Sequence, residues 1–177
     1  DPETDDTRPL GTGWPRLQLG WQHELRFRKW HLQARLRAVL GHRMAHMMRY
    51  FYESAEPGRV ALWNRITTRY FNRRQRGFPV FSDFYLENAS FLKLDALRLG
   101  RTFQLGALTF DLTLALENAL LWSPYTGLDP ELRLFDAGTS SNGADPWASL
   151  PALAPGIDRR NAYFRAHTFA LGLRWRW

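Results

Sequence analysis

The stretch Phe164–Trp177, FRAHTFALGLRWRW, decides how the rest of the chain is read. Phe169, Leu171, Leu173, Trp175 and Trp177 alternate with Thr168, Ala170, Gly172, Arg174 and Arg176. Strict period-two alternation places one face of a strand in an apolar medium and the other in a polar one. A soluble edge strand shows the same alternation, but this one carries two Trp at its tip and stops on the second. Aromatic residues gather where lipid meets water in membrane barrels, so the stretch reads as a membrane β-strand.

Working outward, four more segments alternate. Over Arg16–Arg28 the residues Leu17, Leu19, Trp21, Leu25 and Phe27 share one face. Over Trp30–His42 the set is Trp30, Leu32, Ala34, Leu36, Ala38 and Leu40, with His31, Gln33, Arg35 and Arg37 opposite. Leu108–Asn118 sets Leu108, Phe110, Leu112, Leu114 and Leu116 against Thr109, Asp111, Thr113 and Glu117. Phe91–Leu105 begins with Leu92 and Leu94 apolar, then switches to Leu97, Leu99, Phe103 and Leu105. A one-residue phase change near Ala96 is what a β-bulge produces. The predicted strands are therefore 16–28, 30–42, 91–105, 108–118 and 164–177.

The connections alternate in length. Strands one and two join tightly around Lys29–Trp30, and three and four around Gly106, whereas 43–90 and 119–163 are long. Short turns at one rim and long loops at the other are the outer-membrane barrel arrangement, with periplasmic turns and extracellular loops. A periplasmic C-terminus makes both short turns periplasmic. It also gathers Phe27 with Trp30, Phe103 with Phe110, and Trp175 with Trp177 into one aromatic girdle. Residues 23–48 fit a helix as well, through Leu25, Leu32, Leu36, Val39 or Leu40, and Met47, in a stretch rich in helix formers. Segments 43–53 and 60–72 read as helical and fall inside the first long loop.

Composition excludes less than it first promises. Mean hydropathy is negative and no apolar run is long enough for a transmembrane helix. A barrel survives that test, because its lumen-facing residues dilute the average. The start, DPETDDTRPL, lacks the apolar stretch of a secretory signal, so the sequence is mature, processed, or a piece of something longer. With no Cys, neither a disulfide framework nor a thiolate metal site can be built. The net charge of +7 is nearly all Arg, only Lys29 and Lys93 being lysines. It favours anionic partners such as nucleic acid, lipopolysaccharide or an acidic substrate. GC-rich coding of Arg in place of Lys gives the same balance, so charge alone does not choose.

Longer motifs narrow the reading. YLENASFLKLDALRLGRTF (85–103) is similar to a strand of the form "iedgSFLRLknvtLGYtf". ALENALLWSPYTGLDPEL (115–132) resembles "qNLFtiTkYtGlDPEv", and GIDRRNAYFRAHTFALGLRWRW (156–177) resembles "GiDyggYPqpRtftlGlnltF". More loosely, GTGWPRLQLGWQHELRFRKWHLQARL resembles an upstream hairpin, "GnPnPkwt.Gltntf.YkgfdLsv", which tilts residues 23–42 to strand. These are motifs of the C-terminal part of SusC/RagA-type TonB-dependent outer-membrane transporters. The resemblance departs at Arg101, where Tyr is usual, at the shifted Glu117–Asn118, at Phe164 in place of Pro, and at the final Trp177 in place of Phe.

The resemblance implies an all-β fold, an antiparallel transmembrane β-barrel segment with long extracellular loops containing short helices. It supplies about five strands of a barrel of about 22. The implied activity is import of oligosaccharides or peptides across the outer membrane, with no enzyme chemistry and no cofactor. The implied partners are the remainder of the barrel and the plug domain in the same or a separate chain, a SusD-like surface lipoprotein, the TonB complex through an N-terminal part missing here, and outer-membrane lipid. An open sheet in lipid leaves two edges of unpaired N–H and C=O groups, each costing several kcal/mol. The chain is therefore expected to be a fragment or one part of a split barrel. The alternative is a non-transporting barrel anchoring a surface or secretion complex, and a soluble nucleic-acid binder is a distant third.

Candidate sites follow. Arg35, Arg37, Arg98, Arg174 and Arg176 oppose the apolar faces and would line the lumen, either pairing with Asp95, Asp111 and Glu117 or facing the plug. Trp122, Tyr125, Trp147 and Tyr163, with Trp63 and Tyr70, are loop aromatics able to stack on substrate or to pack against a lid. Trp175 and Trp177 would be the aromatic signal read by the assembly machinery. His42 and His46 have the i,i+4 spacing of metal ligands but no carboxylate motif, so no metal site is expected. Asp129 and Glu131 in GLDPE read as a structural turn shaped by Gly127 and Pro130.

Overall fold

The structure is a computed structural model that describes residues 9–53, 66–70, 80–131, 156–158 and 165–176. Its strands are β1 Leu17–Phe27, β2 Trp30–Leu40, β3 Arg43–His46, β4 Leu86–Asn88, β5 Phe91–Leu105, β6 Leu108–Trp122, β7 Ile157–Asp158 and β8 Thr168–Arg176. Among the described residues one α-helix, α1, spans Met47–Tyr52, and Asp83–Tyr85 forms a single 3-10 turn. Two compact units contain these elements.

The first unit is an antiparallel sheet of five strands in the order β1-β2-β5-β6-β8. Its register aligns like with like. Leu25, Leu32, Leu99, Leu114 and Leu171 form one row across all five strands, and Glu24, Gln33, Arg98, Ala115 and Ala170 form the next row on the opposite face, polar over three strands and small over two. Because side chains alternate, a one-residue slip of any strand would mix the two faces, so the pattern itself fixes the pairing. The apolar face stays at the surface: Leu25, Leu99, Leu114, Leu171, Leu173 and Trp175 are all exposed. A soluble sheet covers such a face with another layer.

Arg28 sits at φ 55° in the β1–β2 turn, a conformation that favours glycine. The β5 phase change is a bulge. Leu94 pairs with Leu36 and Ala96 with Arg35, leaving Asp95 without a ladder partner. On the other side Leu94 meets Leu120 and Ala96 meets Glu117, so Asn118 and Ala119 also leave the ladder, with Asn118 at φ 52°. That irregularity hid the end of β6: the strand was expected to finish at 118 but resumes its alternation through Leu120 and Trp122. Gly100 permits a close approach, since a Cβ there would collide with the His31 ring.

The helical alternative for residues 23–48 loses up to Leu40. β2 is hydrogen-bonded on both sides, to β1 and to β5, and such pairing overrides a weak local propensity. The helix expected over 43–53 is realised only as α1, because Arg43–Ala45 pairs antiparallel with β4 and Ala45–His46 pairs parallel with β7. Of the helix expected over 60–72, only 66–70 is described, and it contains no helix.

The second unit is built on this small sheet, in the order β4-β3-β7, with α1 following directly on β3. Met44, Ala89 and Tyr125 form its apolar core.

Candidate functional site

On the polar face of the large sheet, three carboxylates each hold a candidate arginine. Asp95, freed from the ladder by the bulge, accepts from Arg37 Nε at 3.1 Å and Nη2 at 3.2 Å. Lys93 Nζ lies 3.3 Å from the same carboxylate, so one acid bridges two cations on neighbouring strands. Asp111 is bound by Arg176 at 2.7 Å and by the Thr102 hydroxyl at 2.7 Å. Arg98 approaches Glu117 at 3.5 Å in a more exposed pair. Arg35 faces Ala96 and Gln22 across its ladders, and Arg174 faces Asp111.

Toward the β1–β2 turn the polar face forms an open basin of about 870 Å³. Its lining includes Arg26, Arg28, Lys29, His31, Arg174 and Arg176 against the acids Glu24 and Asp111. Arg26 pairs with Glu24 at 2.6 Å and Arg176 with Asp111, so cations remain in excess. Such a surface attracts carboxylates and phosphates.

The small unit is organised around Arg49, whose side chain is 1% exposed. Its Nε donates to Glu53 at 2.6 Å, and Nη1 donates to Glu87 at 2.8 Å and to the Phe84 carbonyl at 2.9 Å. The rings of Tyr70 and Phe84 lie 4.5 and 4.7 Å from the guanidinium carbon. Glu87 also accepts from the Thr126 amide at 2.9 Å, and Glu53 from the Thr68 amide and hydroxyl. A buried charge is tolerated only when it is paired and hydrogen-bonded, and here one Arg joins four separate stretches of chain.

Next to it the Tyr125 hydroxyl donates to Asp158 at 2.6 Å, and its ring lies 5.1 Å from that of His46. Burial and the adjacent Asp158 raise the Tyr125 phenol far above its usual range. His46 is shifted down from 6.5, chiefly by burial, against the opposing pull of Glu87 and Asp158. Its Nδ1 accepts from the Arg49 amide at 3.4 Å, capping α1. His42 Nε2 lies 3.1 Å from the Pro130 carbonyl, and Asp129 accepts from the Glu131 amide at 2.9 Å, a turn contact. Among the described residues no three His, Asp or Glu side chains are placed to hold a metal.

The loop aromatics separate. Tyr125 is buried in the core of its unit, so its ring offers no open face for stacking. Trp122 ends β6 on the apolar side of the sheet, opposite Leu92, instead of standing in a loop. Tyr70 lies against Arg49. Trp63, Trp147, Tyr163 and Trp177 fall outside the described residues, and Trp175 pairs with Phe110 on the apolar face. The Arg49 network was missed from the sequence, although Arg49 and Glu53 stand at i,i+4 and give one legible sign of it.

Comparison with known proteins bears on the whole arrangement. No family model and no curated protein matches the chain. Among solved structures, it is similar to the RagAB peptide importer in its closed-closed state, at 21% identity and a TM-score of 0.65. The same importer in its open-open state matches at 21% identity and 0.64, and a further structure of the RagAB peptide transporter at 20% and 0.61. Each alignment covers 94% of this chain and 18% of the other. The fold is all-β, an antiparallel five-stranded sheet like that of a segment of these structures. At this identity the likeness speaks for the fold alone, and the chain spans under a fifth of the length of the proteins it matches. Among the described residues no helix is long and apolar enough to cross a membrane, a test that does not apply to strands.

Proposed function

We propose that this chain forms part of the wall and outer loops of an outer-membrane, TonB-dependent importer of oligosaccharides or peptides. The observation that carries the reading is the exposed apolar face, a leucine row running unbroken across five strands beside an arginine-rich polar face. Lipid is the medium that makes such a face favourable, and a water-filled lumen suits the other. The match to a peptide importer favours peptides, and the cationic basin suits their carboxylates.

In this reading β1 with β2, and β5 with β6, turn in the periplasm, and 43–90 and 119–163 lie outside the cell. The remaining strands and a plug come from the same or a separate chain, the TonB complex engages an N-terminal part, and a SusD-like lipoprotein covers the outer mouth. Arg35, Arg37, Arg98, Arg174 and Arg176 line the lumen, and Trp175 with Trp177 forms the assembly signal. Trp147 and Tyr163 are the aromatics proposed to meet substrate or lid.

The test is to recover the polypeptide from outer membranes and measure its intact mass, with peptide mapping upstream of Asp1. Uptake of labelled oligopeptides is then compared in cells with and without it. Membrane recovery with lost uptake in the deletion supports the reading. Recovery with unchanged uptake of peptides and oligosaccharides points to an anchoring barrel, and absence from the membrane refutes both.

A further inference from the structure

Two polar residues, His23 and Arg101, interrupt the apolar face, and Arg101 brings a permanent charge to it. Phe27, Trp30, Arg101, Leu112 and Leu173 form a row across all five strands, and Arg101 is its only charged member. Its guanidinium carbon lies 4.8 Å from the Trp30 ring centroid and 4.7 Å from that of Phe103, so two aromatic faces hold it. Arg101 is exposed, and among the described residues no carboxylate pairs with it. Directly beside it the Thr102 amide donates to the Lys29 carbonyl at 2.9 Å, which brings the cationic Arg28–Lys29 turn to the same spot.

A charge on a lipid-facing wall is costly at mid-depth, and the cost falls toward the interface. Aromatic faces satisfy the π side of a guanidinium but leave its in-plane N–H donors open. Those donors match the paired oxygens of a phosphate, which Arg binds in bidentate fashion. We propose that Arg101, clamped by Trp30 and Phe103, is a binding site for the phosphate of a membrane phospholipid headgroup at the aromatic end of the sheet. The inference rests on the membrane reading above. The occupant is a phospholipid and not free phosphate, because the ion would have to settle on an apolar wall flanked by Phe27, Leu112 and Leu173, where acyl chains make a favourable neighbour.

The experiment uses the complete protein reconstituted into vesicles of phosphatidylglycerol mixed with a phosphate-free galactolipid. Spin-labelled versions of each lipid report which one occupies the protein's boundary. Wild type should select the phospholipid, and Arg101→Gln should reduce that selectivity by roughly tenfold, the loss of one charge-assisted contact. Arg98→Gln, on the opposite face, should leave it unchanged, and millimolar inorganic phosphate should not displace the lipid. Equal selectivity in wild type and Arg101→Gln overturns the inference while leaving the transporter reading intact. Displacement by inorganic phosphate overturns it in favour of an anion site. A wild-type protein that does not insert overturns the inference and the membrane reading together.

Discussion

Replacing Leu171 with arginine separates a sheet that faces lipid from one that faces water. Leu171 is 74% exposed, so only about a quarter of its side-chain burial comes from the protein itself. Full burial of a leucine is worth about 1.5–3 kcal/mol, so in water the substitution would cost less than about 0.8 kcal/mol. Against lipid the same change places a charge on the apolar face near mid-depth and costs about 2–4 kcal/mol. Leu114, its cross-strand partner and 51% exposed, should behave alike. Thr113→Arg is the internal control, one position along β6 on the polar face beside Gly100 and Gly172, and should change stability by no more than about 0.5 kcal/mol. The assay is guanidinium unfolding of the complete protein in phospholipid vesicles, followed by tryptophan emission and gel mobility. Equal midpoints for Leu171→Arg and Thr113→Arg would refute the assignment of the leucine row to lipid.

Other expectations concern the remaining features. Arg49→Met strands Glu53 and Glu87 as unpaired buried acids and should cost about 3–5 kcal/mol by thermal or denaturant unfolding, with much of the loss recovered on adding Glu53→Gln and Glu87→Gln. His46 is held neutral by burial, with its folded value below 6.5, so an unfolded chain binds its proton more readily. The sign follows directly: its contribution is whole above pH 6.5 and is lost as pH falls from there toward the folded value, and His46→Gln should flatten that part of the stability profile. Tyr125 shifts the other way, so its contribution is whole below the ordinary phenol value of 10.0 and declines above it. Tyr125→Phe should remove that alkaline decline and cost about 1–3 kcal/mol by leaving Asp158 short of a donor. Asn118→Val forces a β-branched residue into φ 52° and should cost about 1–2 kcal/mol, whereas Asn118→Gly should be nearly neutral; unfolding midpoints of the two variants decide it.

The large sheet was legible because every strand repeats its pattern over nine or more residues and pairs with a neighbour bearing the same pattern. Even the β5 bulge showed itself, as a shift from Leu94 to Leu97. The small sheet was not legible, since β3, β4 and β7 contain four, three and two residues, too few for a period to emerge. The hydrogen bonds of its Arg49 network join residues up to 39 positions apart, a distance over which local spacing carries no information. Between these extremes stands residue 101: its polarity, set in an otherwise apolar alternation, was visible, but its aromatic neighbours Trp30 and Phe103 became neighbours of consequence only once the register was known.

Asp95 gives β5 an unusual arithmetic. The strand spans fifteen residues, yet across its ladder with β2 it counts as one fewer, because Asp95 is skipped. Removing Asp95 would leave every other β5 side chain on its present face, whereas deleting any residue deep within the regular run from Ala96 to Leu105 would exchange inside for outside along part of the strand. The sole position where length is negotiable is thus occupied by the carboxylate that ties Arg37 to Lys93. Parity and charge are coupled at that point, and shortening the strand there trades a harmless change of count for the loss of the one carboxylate that both cations share.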